Sequence, residues 1–191
     1  WESASEQNKP PMANVARTGD SIPAKYGSLI GAPVRIGSDA RGDNVSYRSH
    51  VVKLDKEGSA GIVFDTDTMR VSGAWVNGGL RLEGLPFTGG HGSFPSLRAE
   101  PLFATGSTPG WADANGRFED PRQNAYPPLG HLPKDWSHYK GLYRHGDSVV
   151  FHYTVGKTKI LEHPSLIESD GRKIISRLFE IAPHQKALTV A

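Results

Sequence analysis

Two aspartates one residue apart, Asp65 and Asp67, are the first pair in this chain whose spacing could do chemistry. In extended backbone both carboxylates fall on one face, where they would bind Ca²⁺ or work as acid and base. In a turn the same side chains would cap backbone N–H groups, and the turn is favoured because no full D-x-D-x-D-G pattern follows. A second set, Asp113-Ala114-Asn115-Gly116 followed by Glu119 and Asp120, supplies hard oxygen donors in a loop, the ligand type calcium takes. A solvated turn is the favoured reading there. His91 lies in Gly89-Gly90-His91-Gly92, where glycines would let backbone and ligand come close to the imidazole. His131, His138, His145 and His152 add further imidazoles, but no H-E-x-x-H links them, so a haem or transition-metal site would need folding to gather two or more.

The aromatic residues Trp111, Trp136, Tyr126 and Tyr139 offer a different chemistry, since their faces stack on sugar rings while their edges hydrogen-bond. The competing reading is that they pin an irregular loop to the core. No G-x-S-x-G, P-loop or Rossmann fingerprint occurs in a credible context, and Gly89-Gly90-His91-Gly92 is not set between a strand and an amphipathic helix, as a phosphate cradle requires. The chain has no cysteine, which excludes disulfides, thiolate metal sites, a cysteine nucleophile and covalent haem attachment within it.

The elements that must position these residues are strands. With 37% hydrophobic and 22% charged residues in 191, there is apolar material for one packed interior. Lys and Arg number 22 against 20 Asp and Glu, too small a surplus to direct the chain to nucleic acid or an anionic membrane, and no apolar run is long enough to span a bilayer. Residues 1–25 read as a leader or linker, and residues 26–191 as one domain. Over residues 26–44 only short strands around Leu29-Ile30 and Val34-Ile36 are expected. Regular alternation begins near Tyr47 and gives three strands through Val76. Asn77-Gly78 then signals a type I′ hairpin into Gly79-Leu80-Arg81-Leu82-Glu83. Residues 86–139 form a long irregular Gly-, Pro- and Trp-rich loop, the place to look for function. Alternation returns over residues 141–181, where turns at His145-Gly146-Asp147, Gly156-Lys157 and Ser169-Asp170-Gly171 make an antiparallel meander, with His152 facing solvent. The fold class is therefore all-β, an antiparallel β-sandwich. The apolar ending Ala187-Leu188-Thr189-Val190-Ala191 suggests a fragment of a larger multidomain protein.

Two blocks carry a family resemblance. They are Gly61-Ile62-Val63-Phe64-Asp65-Thr66-Asp67-Thr68-Met69-Arg70 running into Ala74-Trp75-Val76-Asn77-Gly78-Gly79-Leu80, and Tyr139-Lys140-Gly141-Leu142-Tyr143-Arg144-His145-Gly146-Asp147 running into Phe151-His152-Tyr153-Thr154-Val155-Gly156. Across residues 47–181 the chain resembles an uncharacterised module near the N-terminal side of large secreted haem-binding proteins that contain c-type cytochromes, of planctomycete and verrucomicrobial type. The resemblance implies an extracytoplasmic location, a haem held by another domain, and work near extracellular glycan oxidation or degradation. It transfers no catalytic residues. The leading expectation is a non-catalytic interaction module that binds a glycan or a neighbouring domain or chain through residues 86–139, with Trp111 and Trp136 as leading contacts. The alternatives are a glycan-cleaving or glycan-oxidising enzyme using Asp65, Asp67, Asp113 or Asp120 with His91 as base, and non-covalent haem or metal binding by clustered histidines.

Overall fold

The structure, a computed structural model, describes residues 26–39, 42–122 and 130–191; the leader or linker expected over residues 1–25 lies outside the described residues, as does Tyr126. The described chain is all-β. A seven-stranded sheet has the order β5-β6-β1-β2-β3-β4-β7, built from β1 (Leu29–Asp39), β2 (Gly42–Lys53), β3 (Gly61–Asp65), β4 (Arg70–Trp75), β5 (Leu80–Arg81), β6 (Ser96–Leu97) and β7 (Phe103–Ala104). A four-stranded sheet has the order β11-β10-β9-β8, from β8 (Ser137–His145), β9 (Ser148–Val155), β10 (Thr158–Ser169) and β11 (Arg172–Ile181). One helical turn, α1 (Leu85–Thr88), interrupts the strands, and no helix among the described residues is long and apolar enough to cross a membrane.

The four-stranded sheet is the meander its turn residues encode. Asp170 and Gly171 both take positive φ (50° and 70°), the conformation a two-residue type I′ connection needs. In β9 period-two burial sends Val149, Phe151, Tyr153 and Val155 inward and leaves Val150, His152 and Thr154 on the outer face. These inward residues meet Val52, Ile62, Phe64 and Val71 of the larger sheet, and the Phe64 and Phe151 rings stack with centroids 4.0 Å apart. That contact is the centre of the sandwich.

The larger sheet differs from a flat layer, because β3 and β4 are buried on both faces. A second core of Val34, Ile36, Val51, Val63, Trp75, Leu80 and Leu82 fills its other side. Gly73 on β4 lies so near Ile36 on β1 that a Cβ there would sit 3.0 Å from Ile36 Cγ2, although β2 and β3 intervene in the sheet order. The sheet is therefore curled around this second core.

Two sequence expectations are corrected. Residues 26–44 hold one eleven-residue strand, β1, where only short pieces were expected. Its register shifts between Ala32 and Val34 and between Arg35 and Gly37, so the ladder steps past Pro33, which has no N–H to offer. Asn77-Gly78 does not close a hairpin: β4 pairs with β3 and β7, while β5 pairs with β6 at the opposite end of the sheet. Asn77 does adopt positive φ (55°), but the Gly78 N–H goes to the Ser59 carbonyl and the chain crosses over. A local turn signal fixes backbone shape at two residues and says nothing of which strand the chain joins next.

Gly61 is required by the packing. A Cβ there would lie 2.3 Å from the Trp75 ring and 2.7 Å from the Val52 carbonyl oxygen, both immobile in the core. Gly61→Ala is expected to destabilise the fold by about 3 kcal/mol or more in chemical denaturation. Gly37→Ala, where a Cβ would meet nothing within 4 Å, should change stability by less than about 1 kcal/mol.

Candidate functional site

The β3–β4 connection, residues 65–70, is a turn with no exposed member: Asp65, Thr66, Asp67, Thr68, Met69 and Arg70 are all buried. Turns ordinarily lie at the surface because their backbone groups need water, so this one must satisfy them internally. Asp65 supplies part of the answer, its Oδ1 accepting the N–H groups of Asp67 (2.8 Å) and Thr68 (3.2 Å). Its Oδ2 lies 3.5 Å from Arg70 Nε. Arg70, 3% exposed, donates from its two terminal nitrogens to the Thr105 carbonyl (3.1 Å), the Gly106 carbonyl and Asn44 Oδ1 (2.9 Å), while its buried Nε has only the ion pair to Asp65. Burial draws the Arg70 pKa down and the neighbouring Asp65 carboxylate works against that.

The long loop closes over this turn. The Gly110 N–H donates to the Thr68 carbonyl (2.8 Å) and the Leu132 N–H to the Asp67 carbonyl (3.1 Å). A Cβ on Gly110 would stand 2.1 Å from the Met69 carbonyl oxygen, so only glycine permits this approach. The Asp67 carboxylate meets His131 Nδ1 at 2.9 Å and Arg48 Nε at 3.2 Å. His131 Nε2 is 3.3 Å from Arg48 Nη1; arginine can only donate, so the ring accepts at Nε2, while its Nδ1 stands beside Asp67 Oδ1 without a formed hydrogen bond. Desolvation and, after it, the Asp65 charge still push the Asp67 carboxyl above the usual range, opposed by Arg48, His131 and Arg122. Asp120, 2% exposed, is held by Arg122 through Nη2 (2.7 Å) and Nε (2.9 Å), and Arg122 also donates to the Gly130 carbonyl.

Beside this clamp runs an open groove of about 640 Å³, lined among others by Asp113, Asn115, Glu119, Asp120, Asp135 and Trp136. The fold thus gathers five of the residues singled out in the sequence, all but Asp135, around one surface depression. Asp113 closes a tight loop: it accepts from the Asn115 and Arg117 N–H groups (2.8 and 2.9 Å) and pairs with the Arg117 guanidinium (3.1 Å). The Arg117 N–H, with that of Asn115 and the guanidinium behind it, holds the carboxyl below the usual range. Glu119 and Asp135 are exposed. Among the described residues no group of three or more His, Asp or Glu side chains is arranged to hold a metal ion.

Trp111 is not at the surface. It is 2% exposed, stands edge-on to Phe179 and donates from Nε1 to Tyr153 Oη (3.1 Å). Tyr153 in turn donates to Glu162 Oε2 (2.7 Å), and Arg177 Nε holds Glu162 Oε1 (2.7 Å). Burial, then the Glu162 charge, pushes the Tyr153 hydroxyl pKa up. The Trp111 backbone bridges to Val190, which fastens the last residues of the chain to the loop, while Trp136 Nε1 donates to the Trp111 carbonyl (2.9 Å). Tyr139 packs into the sandwich against His50 and Phe64. His91 is exposed in the turn between α1 and β6, with no ion pair to any of the candidate carboxylates. His138 and His152 lie on β8 and β9, His145 ends β8, and His131 stands beside the Asp67 carboxylate.

Sequence reasoning missed the arginines. Arg48, Arg70, Arg122 and Arg177 each neutralise a buried acid; Arg48, Arg70 and Arg177 meet theirs across strands or a turn, whereas Arg122 holds Asp120 only two residues away. Arg70→Ala leaves Asp65 buried without its cation and is expected to cost about 3–5 kcal/mol in denaturant unfolding. For Asp67 the sign follows from its raised pKa. The folded chain binds that proton more tightly than the unfolded chain, so the associated stability is present below the ordinary value of 3.8 and is lost as pH rises through the folded value. The melting temperature of Asp67→Asn should therefore gain on the wild type between pH 3.8 and neutral, a trend thermal melts across that range would reveal.

Neither the curated proteins nor the solved structures contain a match to this chain. A family does match, over residues 62–162, which run from β3 through the buried turn, the clamping loop and the groove to Glu162 of β10. Since that span is more than half of the 191 residues, the chain belongs to the family described as Domain of unknown function (DUF6797).

Proposed function

We propose that this domain is a non-catalytic binding module that seats a glycan in the groove beside Trp136, within an extracytoplasmic multidomain protein whose haem lies in another domain. The observation that carries this reading is the groove itself: an open depression of about 640 Å³ in which Trp136 stands among Asp113, Asn115, Glu119 and Asp135. An aromatic ring beside carboxylate and amide acceptors suits a ligand with apolar C–H faces and many hydroxyl donors, which describes a sugar. An open groove also suits a polymer, whose chain must enter and leave sideways.

The commitments of the buried carboxylates support binding over glycoside cleavage. Cleavage uses a pair of carboxyl groups about 5–9.5 Å apart across a bound sugar, one of them free to move a proton. Asp65, Asp120 and Glu162 each face an arginine, and Asp113 is tied into its own loop. His91 sits on a separate turn.

Affinity electrophoresis of the purified chain through gels containing a panel of plant and bacterial polysaccharides tests the proposal. Retardation by at least one polysaccharide is expected, weakened about tenfold by Trp136→Ala and by the double variant Asn115→Ala/Glu119→Ala. Trp136→Phe, which keeps a ring but loses the N–H to the Trp111 carbonyl, separates stacking from loop anchoring. Unretarded migration through the whole panel would remove the glycan reading.

A further inference from the structure

Sheet edges expose unpaired backbone N–H and C=O groups, and proteins usually blunt them with short strands, bulges or cover. Three of the four edges here are blunted. The seven-stranded sheet ends in β5 and β7, two residues each, and β8 carries a bulge between Tyr139 and Gly141. The fourth edge, β11, is different. It runs ten residues in unbroken register with β10, from Arg172 opposite Ser169 to Ile181 opposite Ile160. Among the described residues no backbone hydrogen bond reaches its outer side.

The side chains along β11 divide by face. Lys173, Ile175, Arg177 and Phe179 turn inward, to Ser59, the core and Glu162. Arg172, Ile174, Ser176, Leu178 and Glu180 fall on the outer face, where Ile174 is 48% and Leu178 66% exposed. Read in order, that face is cation, apolar, small, apolar, anion. The series is complementary to itself reversed. In an antiparallel pair of two such strands centred on Ser176, Ile174 faces Leu178 and Arg172 faces Glu180, twice over by symmetry. Neither Arg172 nor Glu180 has an ion pair within its own chain among the described residues. Ile167, 47% exposed and opposite Ile174 on β10, extends the apolar strip on both sides.

We propose that β11 is a homodimerisation edge, pairing antiparallel with β11 of a second copy of this chain about a two-fold axis at Ser176, so that the two four-stranded sheets join into one. The partner is a second copy because the order of charges and apolar residues answers itself. A β-strand from another protein would have no reason to match both ends.

Sedimentation equilibrium of the whole chain up to about 0.1 mM should report a dimer. Arg172→Glu sets two like-charged pairs across the axis and should weaken the dimer about tenfold, with the melting temperature of the monomer unchanged because the site is exposed. The double reversal Arg172→Glu/Glu180→Arg should restore it. The chain has no cysteine, so Ser176→Cys introduces a single thiol that mild oxidation should convert to a covalent dimer, whereas Leu178→Cys, whose cross-strand neighbour is Ile174, should not cross-link. A wild type that stays monomeric, a dimer indifferent to Arg172→Glu, or equal cross-linking at both positions would overturn the proposal.

Discussion

A guanidinium with 3% exposure sets the terms for half of this molecule. Arg70 begins β4 at the end of a buried turn, and a charge taken out of water must be surrounded by acceptors or the fold fails. Asp65 is near but only at 3.5 Å, so the remaining donors are met by the Thr105 and Gly106 carbonyls and by Asn44 Oδ1. Those acceptors come from β2 and from the segment after β7. The demand of one cation therefore brings together the start of the second strand and the first part of the long loop.

The same constraint fixes the described parts of the loop beyond β7. Its backbone groups find partners in the turn it covers, through Gly110 to Thr68 and Leu132 to Asp67, and its own acid, Asp120, carries a private arginine. The far end of the loop is fixed by a second buried chain of hydrogen bonds, Trp136 to Trp111 to Tyr153 to Glu162 to Arg177. Between these two anchors stand the groove residues, with Asp120 buried at the base and Asn115, Glu119 and Asp135 exposed. A preorganised surface of this kind binds without first having to order itself.

Legibility in the sequence followed the range of the interactions. The meander over residues 141–181 was readable because period-two burial and two-residue turns are local, and β3 and β4 were readable for the same reason. Strand β1 was read as fragments because Pro33 and its glycines look like breakers, while the register shifts that absorb them depend on β2. Asn77-Gly78 misled because a turn shape is local and a strand partner is not. Asp113, Asn115, Glu119, Asp120 and Trp136 stand out in the sequence by residue type, and the fold places all five along one groove. Residue type leaves Trp111 open between sugar contact and loop anchor, and the choice rests on a tyrosine 42 positions away that its indole N–H meets, a distance no motif can announce. Arg48, Arg70 and Arg177 give no sequence signal for a related reason: an arginine in a strand looks like solvated surface until the acid it neutralises is brought to it by the fold.

The two buried networks also reach beyond the segment that the family match covers. Residues 62–162 span the whole of the first network's turn and loop, and end on Glu162, the acid at the heart of the second. Arg177, the cation that neutralises Glu162, lies beyond that span, as do Arg48 and Asn44 before it. The matched segment thus contains buried charges whose partners sit outside it, and isolated it would expose Glu162 and part of the Arg70 shell to solvent or leave them unpaired. A folding unit must include β2 on one side and β11 on the other, because the physical boundary of the domain is set by where its buried charges are neutralised.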